Sequence, residues 1–365
     1  MATAKSHPKK LIFKNLQSPG DIVMLTAAVR DLHKCYPKQF ATDVRTPCPH
    51  LWENNPYLTR LDEKAPNVRV LSCGYPLIHR SNQLPVHFLN GFIDFLNEQL
   101  KLQIHLSSFK GDIHLSKQEK TWMSQVQEIV GQDLPFWILV AGGKNDYTIK
   151  WWDPGRFQQV VNHFRGRILF VQVGEEGHPH PALNGVLDLR GKTDLRQFVR
   201  LVYHAQGVLC PVTLAMHLAA AVEVKGDRPK HRPCVVVAGG REPPHWEAYP
   251  HHQFIHTNGA LLCCDSGGCW KSRTLPLGDG DPKDKPQHLC VDVVDALPRC
   301  MDMISATDVI RRIELYFNGH AINYLSNDQW RCAQPALAKS RANHSQPSLA
   351  IDRGQTLKPG ALVHD

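Results

Sequence analysis

Four short runs in the second half of the chain constrain its fold more than any other feature. Residues 136–141, 167–173, 208–210 and 234–238 are almost uninterruptedly apolar. An antiparallel strand with one wet face alternates apolar and polar residues. A strand apolar on both faces belongs in a parallel sheet covered by helices on each side. Helical stretches, such as residues 154–164, separate the runs, as parallel crossovers require. Gly- and Asn-containing loops follow the strands, and open α/β sheets bind their ligands at those carboxyl edges. The expected fold class is therefore α/β.

The first half carries a second α/β unit. A strand is expected at residues 10–14, then a turn at Gln17-Ser18-Pro19-Gly20-Asp21, then a helix over 22–36 that Pro37 ends. Ile22, Leu25, Val29 and Leu32 recur at helical spacing and form its buried face. A further apolar helix is expected over 86–100, a short strand at 68–72 and a polar amphipathic helix over 117–130. The Gly-Gln-Asp-Leu-Pro stretch at 131–135 marks the boundary. The expected domains are residues 1–133, residues 134–325 and a loosely ordered or surface-lying tail over 326–365, where the composition turns polar. No internal repeat is evident.

At 365 residues, with 42% hydrophobic and 21% charged residues, the chain can bury two or three cores. No apolar run approaches the ~20 residues of a membrane span. Residues 1–10 are polar and basic and lack an apolar signal core, so a cytoplasmic protein with reduced cysteines is expected. The formal net charge of +8 suits an anionic ligand. The basic residues are scattered rather than blocked, which argues against nucleic acid as partner.

Four loops carry candidate chemistry. Gly20-Asp21 lies between a strand and a helix: Gly20 permits close backbone approach, and Asp21 is either a helix cap or a general base facing the crevice. Gly142-Gly143-Lys144, with Lys150 beyond, follows a buried strand; its amides and lysines suit an anion, although it lacks the Gly-Lys-Ser/Thr ending of a Walker loop. Thr213 opens a helix of small apolar residues as its cap, with Met216 and His217 early in that helix, where a phosphate is attracted. Arg241 and Trp246 follow another strand and could pair with a phosphate and stack on a base. An ordinary Gly-rich turn, a core histidine and a packed surface tryptophan are the competing readings.

Five of the 11 cysteines fall between residues 263 and 300. Thiolates bind iron or zinc, and the Asp-Ser-Gly-Gly between Cys264 and Cys269 can make the tight turn two ligands need. Buried free thiols or disulfides are the alternative, and a reducing compartment disfavours the latter.

Taken in order, these loops resemble glycosyltransferase family 9, the ADP-heptose heptosyltransferases. Gly20-Asp21 with Thr26-Ala27-Ala28-Val29-Arg30 is similar to the family's opening, Lys150-x-Trp152 to its Lys-x-Trp, Met216-His217-Leu218-Ala219-Ala220 to its Met-His-Leu-Ala-Ala helix, and 239–249 to its Gly-x-x-x-Pro-x-x-Trp-x-x-Tyr loop. The cysteine segment resembles the autotransporter heptosyltransferase branch, which carries a four-cysteine iron finger. One departure stands out: the family's Asp-Ser/Thr-Gly-Pro before Met-His reads Val212-Thr213-Leu214-Ala215 here.

The resemblance implies a GT-B fold, two Rossmann-like domains facing across a cleft, with a cysteine-rich metal finger over 263–300. It implies inverting transfer of a sugar from a nucleoside diphosphate donor, an ADP-sugar with heptose as the leading sugar, to a hydroxyl of a protein or glycan acceptor. Asp21 would be the base. Gly20, Gly142, Gly143, Lys144, Lys150, Thr213, Met216, His217, Arg241 and Trp246 would bind substrate. Cys264, Cys269, Cys290 and Cys300 would hold a structural iron or zinc, with Cys263 as substitute for Cys264, and no catalytic divalent ion is required. A homo-oligomer stays open. The alternatives are a non-catalytic nucleotide- or sugar-binding protein, motivated by Val212, and a nucleic-acid-binding protein with a metal knuckle.

Overall fold

A computed structural model describes residues 7–74, 80–226 and 229–342. In chain order the elements are β1 (Lys9–Lys14), α1 (Pro19–Cys35), β2 (Phe40–Arg45), β3 (Val68–Ser72), α2 (Phe88–Leu100), α3 (Lys117–Thr121), α4 (Gln125–Val130), β4 (Phe136–Val140), α5 (Pro154–His163), β5 (Leu169–Val173), β6 (Leu187–Asp188), α6 (Leu195–His204), β7 (Gly207–Pro211), α7 (Leu214–Ala221), β8 (Cys234–Gly239), α8 (Pro244–Glu247), β9 (His252–His256), β10 (Val293–Val294), β11 (Leu297–Pro298), α9 (Arg299–Asp302), α10 (Ala306–Asn318) and α11 (Asn327–Ala342).

The four apolar runs are β4, β5, β7 and β8, and they form the centre of a six-stranded sheet ordered β6-β5-β4-β7-β8-β9. Every pair in it is parallel. Starting from β4, this is the doubly wound order in which the chain leaves to one side, returns and leaves to the other. The reversal lies between β4 and β7, so the loops after these two strands diverge and leave a crevice at their carboxyl ends. The first half has a smaller sheet, β2-β1-β3, also parallel. It is narrower than a full Rossmann unit. Strand β2 was not legible in the sequence because polar Thr42, Asp43 and Arg45 interrupt its apolar residues.

Helix α1 begins three residues before the expected start. Ser18 is its N-cap and Pro19 its first residue, where proline's fixed φ is already helical. The Ser18 N–H donates to Asp21 Oδ2 at 3.0 Å. Asp21 is thus the acid of a capping box and not the cap itself. Residues 21–32 of α1 are buried on all sides, because α1 lies between α2 and α7. That contact with α7 joins the two halves. Arg30 is buried at its inner end, forked onto Asp31 and donating to the Lys110 and Ser108 carbonyls.

The amphipathic helix expected over 117–130 is two helices. Ser116 and Ser124 each accept from a backbone N–H three residues on, of Glu119 and Gln127. Between them Trp122 is extended. Two strong N-caps eight residues apart start two helices where the apolar pattern suggests one. Of the two alternatives for the tail from residue 326, loosely ordered or lying over the surface, residues 327–342 take the second, as a helix. Helix α11 packs against α4 of the first half and against β6, burying Ala333 and Ala336. Small alanines bury too little to stand out in a polar sequence. Residues 1–6 of the basic start and 343–365 of the tail lie outside the described residues. No helix among the described residues is long and apolar enough to cross a membrane.

Candidate functional site

A cavity of about 600 Å³ opens between the two sheets, at the carboxyl ends of β1, β4, β5, β7 and β8. It is the crevice that the strand order dictates. Its wall includes Gly20 and Asp21 from the first half. From the second half come Gly142, Gly143, Lys144, Lys150, Thr213, His217, Arg241 and Trp246. Every expected substrate-site residue is there except one. Met216 is fully buried in the core and does not line the cavity. On α7, His217 takes the cavity side, and its neighbour one residue back points elsewhere.

The two halves touch at the base of this cavity. A Cβ placed on Gly20 would lie 2.9 Å from His217 Cδ2. Gly20 is therefore required by a close approach across the interface and not by its backbone angle. His217 Nδ1 is 3.0 Å from the Tyr249 hydroxyl, which donates to Met24 Sδ at 3.3 Å. Its Nε2 lies 3.3 Å from Glu247 Oε2. Burial, with the nearby Lys150 cation, lowers the His217 pKa to about 3. The imidazole is neutral at pH 7, so it offers a ligand hydrogen bonding and not charge.

Lys150 supplies the charge. Its side chain keeps 21% of its surface accessible, and its Nζ is 2.9 Å from Glu242 Oε1. Burial and the Arg241 guanidinium lower it to about 8, against the pull of Glu247, Tyr147 and Asp21. Burial raises Glu247 to about 7; Asp21 pushes the same way, and Lys150 and Arg241 oppose. Asp21, Lys150, His217 and Glu247 are thus one electrostatic cluster contributed by both halves.

Three expected roles need correction. The Gly143 N–H donates to the Pro179 carbonyl at 3.0 Å, and a Cβ on Gly142, at φ +122°, would collide with that carbonyl. These glycines seat the loop on residues 179–180, so the Gly143 amide is not offered to an anion. Arg241 is clamped rather than extended. Its Nε donates to the Lys271 carbonyl at 2.7 Å, it pairs with Glu242, and its guanidinium lies over the Tyr147 and Trp270 rings. Trp246 is 1% exposed and stacked on Phe88 of the first half at 4.7 Å. It joins the halves instead of presenting a face to a base. Thr213 caps α7 as expected, accepting from the Ala215 N–H at 3.3 Å and keeping its own proton available.

The sequence did not single out Glu242, Glu247, Tyr147 or Trp270 as wall residues, nor Tyr249 as the partner of His217. Glu247 lies inside a quoted loop, but a carboxylate there means little until its burial is known.

Of the cysteines, Cys263, Cys269, Cys290 and Cys300 line one small void. Cys264 does not: its Sγ lies 3.7 Å from the Thr257 carbonyl oxygen. Of the two alternatives expected from sequence, Cys263 is the one that shares the void. Burial raises the thiols of Cys263 to about 11 and Cys300 to about 12, and each feels its sulfur neighbours. Thiolates are the soft donors that iron or zinc takes. Among the described residues, however, no three His, Cys, Asp or Glu side chains stand close enough together to hold an ion. The cysteine segment is tied to the first half by Asn82, which accepts from the Gly268 N–H and from Trp270 Nε1, each at 2.9 Å.

No family model matches the sequence, and no curated relative is found. Solved structures do match. The iron-containing dodecameric glycosyltransferase TibC of enterotoxigenic E. coli aligns over 86% of this chain and 77% of its own, at TM-score 0.60 and 15% identity. The fold is that of the family 9 glycosyltransferases. E. coli ADP-heptose LPS heptosyltransferase II aligns over 86% of this chain and 100% of its own, at TM-score 0.54 and 13% identity. A family 9 glycosyltransferase of Veillonella parvula aligns over 68% and 86%, at 0.52 and 16%. TibC has also been solved in complex with ADP-D-β-D-heptose.

Proposed function

We propose that this chain is an inverting glycosyltransferase of the heptosyltransferase kind. The observation that carries the reading is the meeting of Asp21 from the first half with Lys150, His217 and Glu247 from the second in one cavity. A carboxylate at the amino end of α1 faces a cation and a neutral imidazole across the crevice. That is what transfer from a nucleotide sugar to a hydroxyl needs. The nucleoside diphosphate sugar lies against the second half, residues 134–325, and the acceptor against the first, residues 1–133. Asp21 takes the proton from the acceptor hydroxyl as its oxygen attacks the anomeric carbon. The bond from that carbon to the diphosphate breaks, and the nucleoside diphosphate leaves with the electron pair. Lys150 neutralises the developing charge, and the Thr213 hydroxyl donates a hydrogen bond to the leaving group.

The ADP-heptose complex of TibC supports an ADP-linked heptose as donor, and a protein or glycan hydroxyl is the proposed acceptor. Cys263, Cys269, Cys290 and Cys300 would hold a structural iron or zinc, bracing the segment that carries Trp270. Such a cation supplies cross-linking and neutralisation of thiolates, and no step of transfer passes through it.

One observation favours a second reading, a nucleotide-sugar-binding protein without turnover. Val212 places an apolar side chain on the cavity wall where a carboxylate would help hold the sugar. Calorimetry with ADP and ADP-heptose, followed by a transfer assay on candidate acceptors, tests both. Absence of binding by either ligand at millimolar concentration would refute them together. Binding with Asp21-independent turnover would refute the base assignment.

A further inference from the structure

The cavity contains polar atoms that the protein leaves unsatisfied. Glu247 and Trp151 line the cavity, and Glu247 Oε2 and Trp151 Nε1 are buried with no hydrogen-bond partner among the described residues. The 3.3 Å approach of His217 Nε2 to Glu247 Oε2 is not a hydrogen bond, and the neutral imidazole makes no ion pair there. Glu247 as a whole is 5% exposed. A buried carboxyl oxygen without a partner is costly, so a site that keeps one is built for a ligand that supplies the partner.

The chemistry of that partner is constrained. A carboxyl oxygen beside Asp21 needs a hydrogen-bond donor, and a diphosphate has only acceptors and repels it. The indole N–H of Trp151 needs an acceptor. A hydroxyl does both. Glu242 also has an unpaired oxygen here, but its other oxygen is engaged by Lys150 and Arg241, which makes it the counter-ion of the cationic end. Glu247 Oε2 lies 3.3 Å from His217 Nε2, and a Cβ on Gly20 would meet that same ring at 2.9 Å, so Glu247 stands beside the amino end of α1 that carries Asp21. We infer that Glu247 is a sugar-recognition residue, accepting a hydrogen bond from a hydroxyl of the transferred sugar and not from the nucleotide. The inference rests on the transferase reading. Its near-neutral pKa suits the role, since the carboxyl accepts from a hydroxyl in either protonation state.

The test compares ADP with ADP-heptose by calorimetry on the unmodified protein, Glu247→Ala and Glu247→Gln. Glu247→Ala should weaken ADP-heptose binding roughly ten- to hundredfold, the range for a hydrogen bond to a charged group, with ADP affinity unchanged within about twofold. Glu247→Gln keeps an acceptor oxygen and should lose less, and a melting temperature no lower than that of the unmodified protein shows the fold is intact. Equal losses for ADP and ADP-heptose would overturn the inference, because Glu247 would then act through Lys150. Undiminished ADP-heptose binding by Glu247→Ala would overturn it too. Failure of the unmodified protein to bind either ligand would instead remove the transferase reading, and the inference with it.

Discussion

Replacing Asp21 by Asn separates a structural from a chemical role for this residue. In the capping box the Asp21 Oδ2 accepts the Ser18 N–H at 3.0 Å. The Asn carboxamide oxygen can make the same bond, so the box survives. What is lost is a negative charge in the first turn of α1, worth about 0.3–1 kcal/mol against the helix dipole. Part of that loss is offset, because Asp21 also pushes against Glu247 across the interface. The net stability change should therefore stay below about 1 kcal/mol. A base cannot be replaced so cheaply: Asn accepts no proton, and turnover should fall by roughly two to four orders of magnitude. Removing the Asp21 charge also removes one of the influences holding Glu247 up, so the Glu247 pKa should fall. The assay measures transfer, ADP-heptose affinity and melting temperature on the two proteins side by side. Turnover by Asp21→Asn within a factor of a few of the unmodified protein would refute the base. A large fall in melting temperature would refute the account of the capping box.

Lys150→Ala should weaken ADP binding roughly ten- to hundredfold, since it removes the charge-assisted contact to the diphosphate; unchanged affinity by calorimetry would move the donor elsewhere. Gly20→Ala should fold, since helix propensity gains about 1 kcal/mol while the contact with His217 costs of the order of 1–3. It should nonetheless lose transfer, because the new methyl pushes α1 from α7 at the reacting end, and full activity would contradict that geometry. Metal analysis of anaerobically purified protein should find iron or zinc retained by Cys264→Ser and lost by Cys263→Ser, and the opposite pattern would restore the ligand set expected from sequence. The raised pKa of Glu247 means that the folded protein holds that proton more tightly than the unfolded chain. Stability from this group is present below its ordinary 4.5 and is lost as pH rises toward about 7. Denaturation curves should show Glu247→Gln gaining on the unmodified protein across that window, and a constant difference would contradict the burial argument.

The sequence by itself determined the larger sheet. Runs apolar on both faces have one stable home, a parallel sheet covered on each side, and four of them between helices left little choice of architecture. It also determined which loops matter, because ligand loops follow strand carboxyl ends and those ends were marked by glycines. Thr213 as a cap and His217 on the cavity wall followed from the same local logic. The tertiary structure decided what each side chain does there. Arg241 and Trp246 look alike in sequence as free ligands, yet one is clamped by a carbonyl and two aromatic rings and the other is stacked on Phe88 from the opposite half. Glycines 142 and 143 turned out to seat one loop on another. Cys263 and Cys264 are adjacent in sequence, and only the fold of their loop puts the first sulfur at the shared void and the second near the Thr257 carbonyl. Glu247 was invisible because its meaning lies in burial and in a missing partner. Local sequence sets periodicity and caps; desolvation and pairing depend on residues more than 200 positions away, such as Asp21, and only the folded chain brings them together.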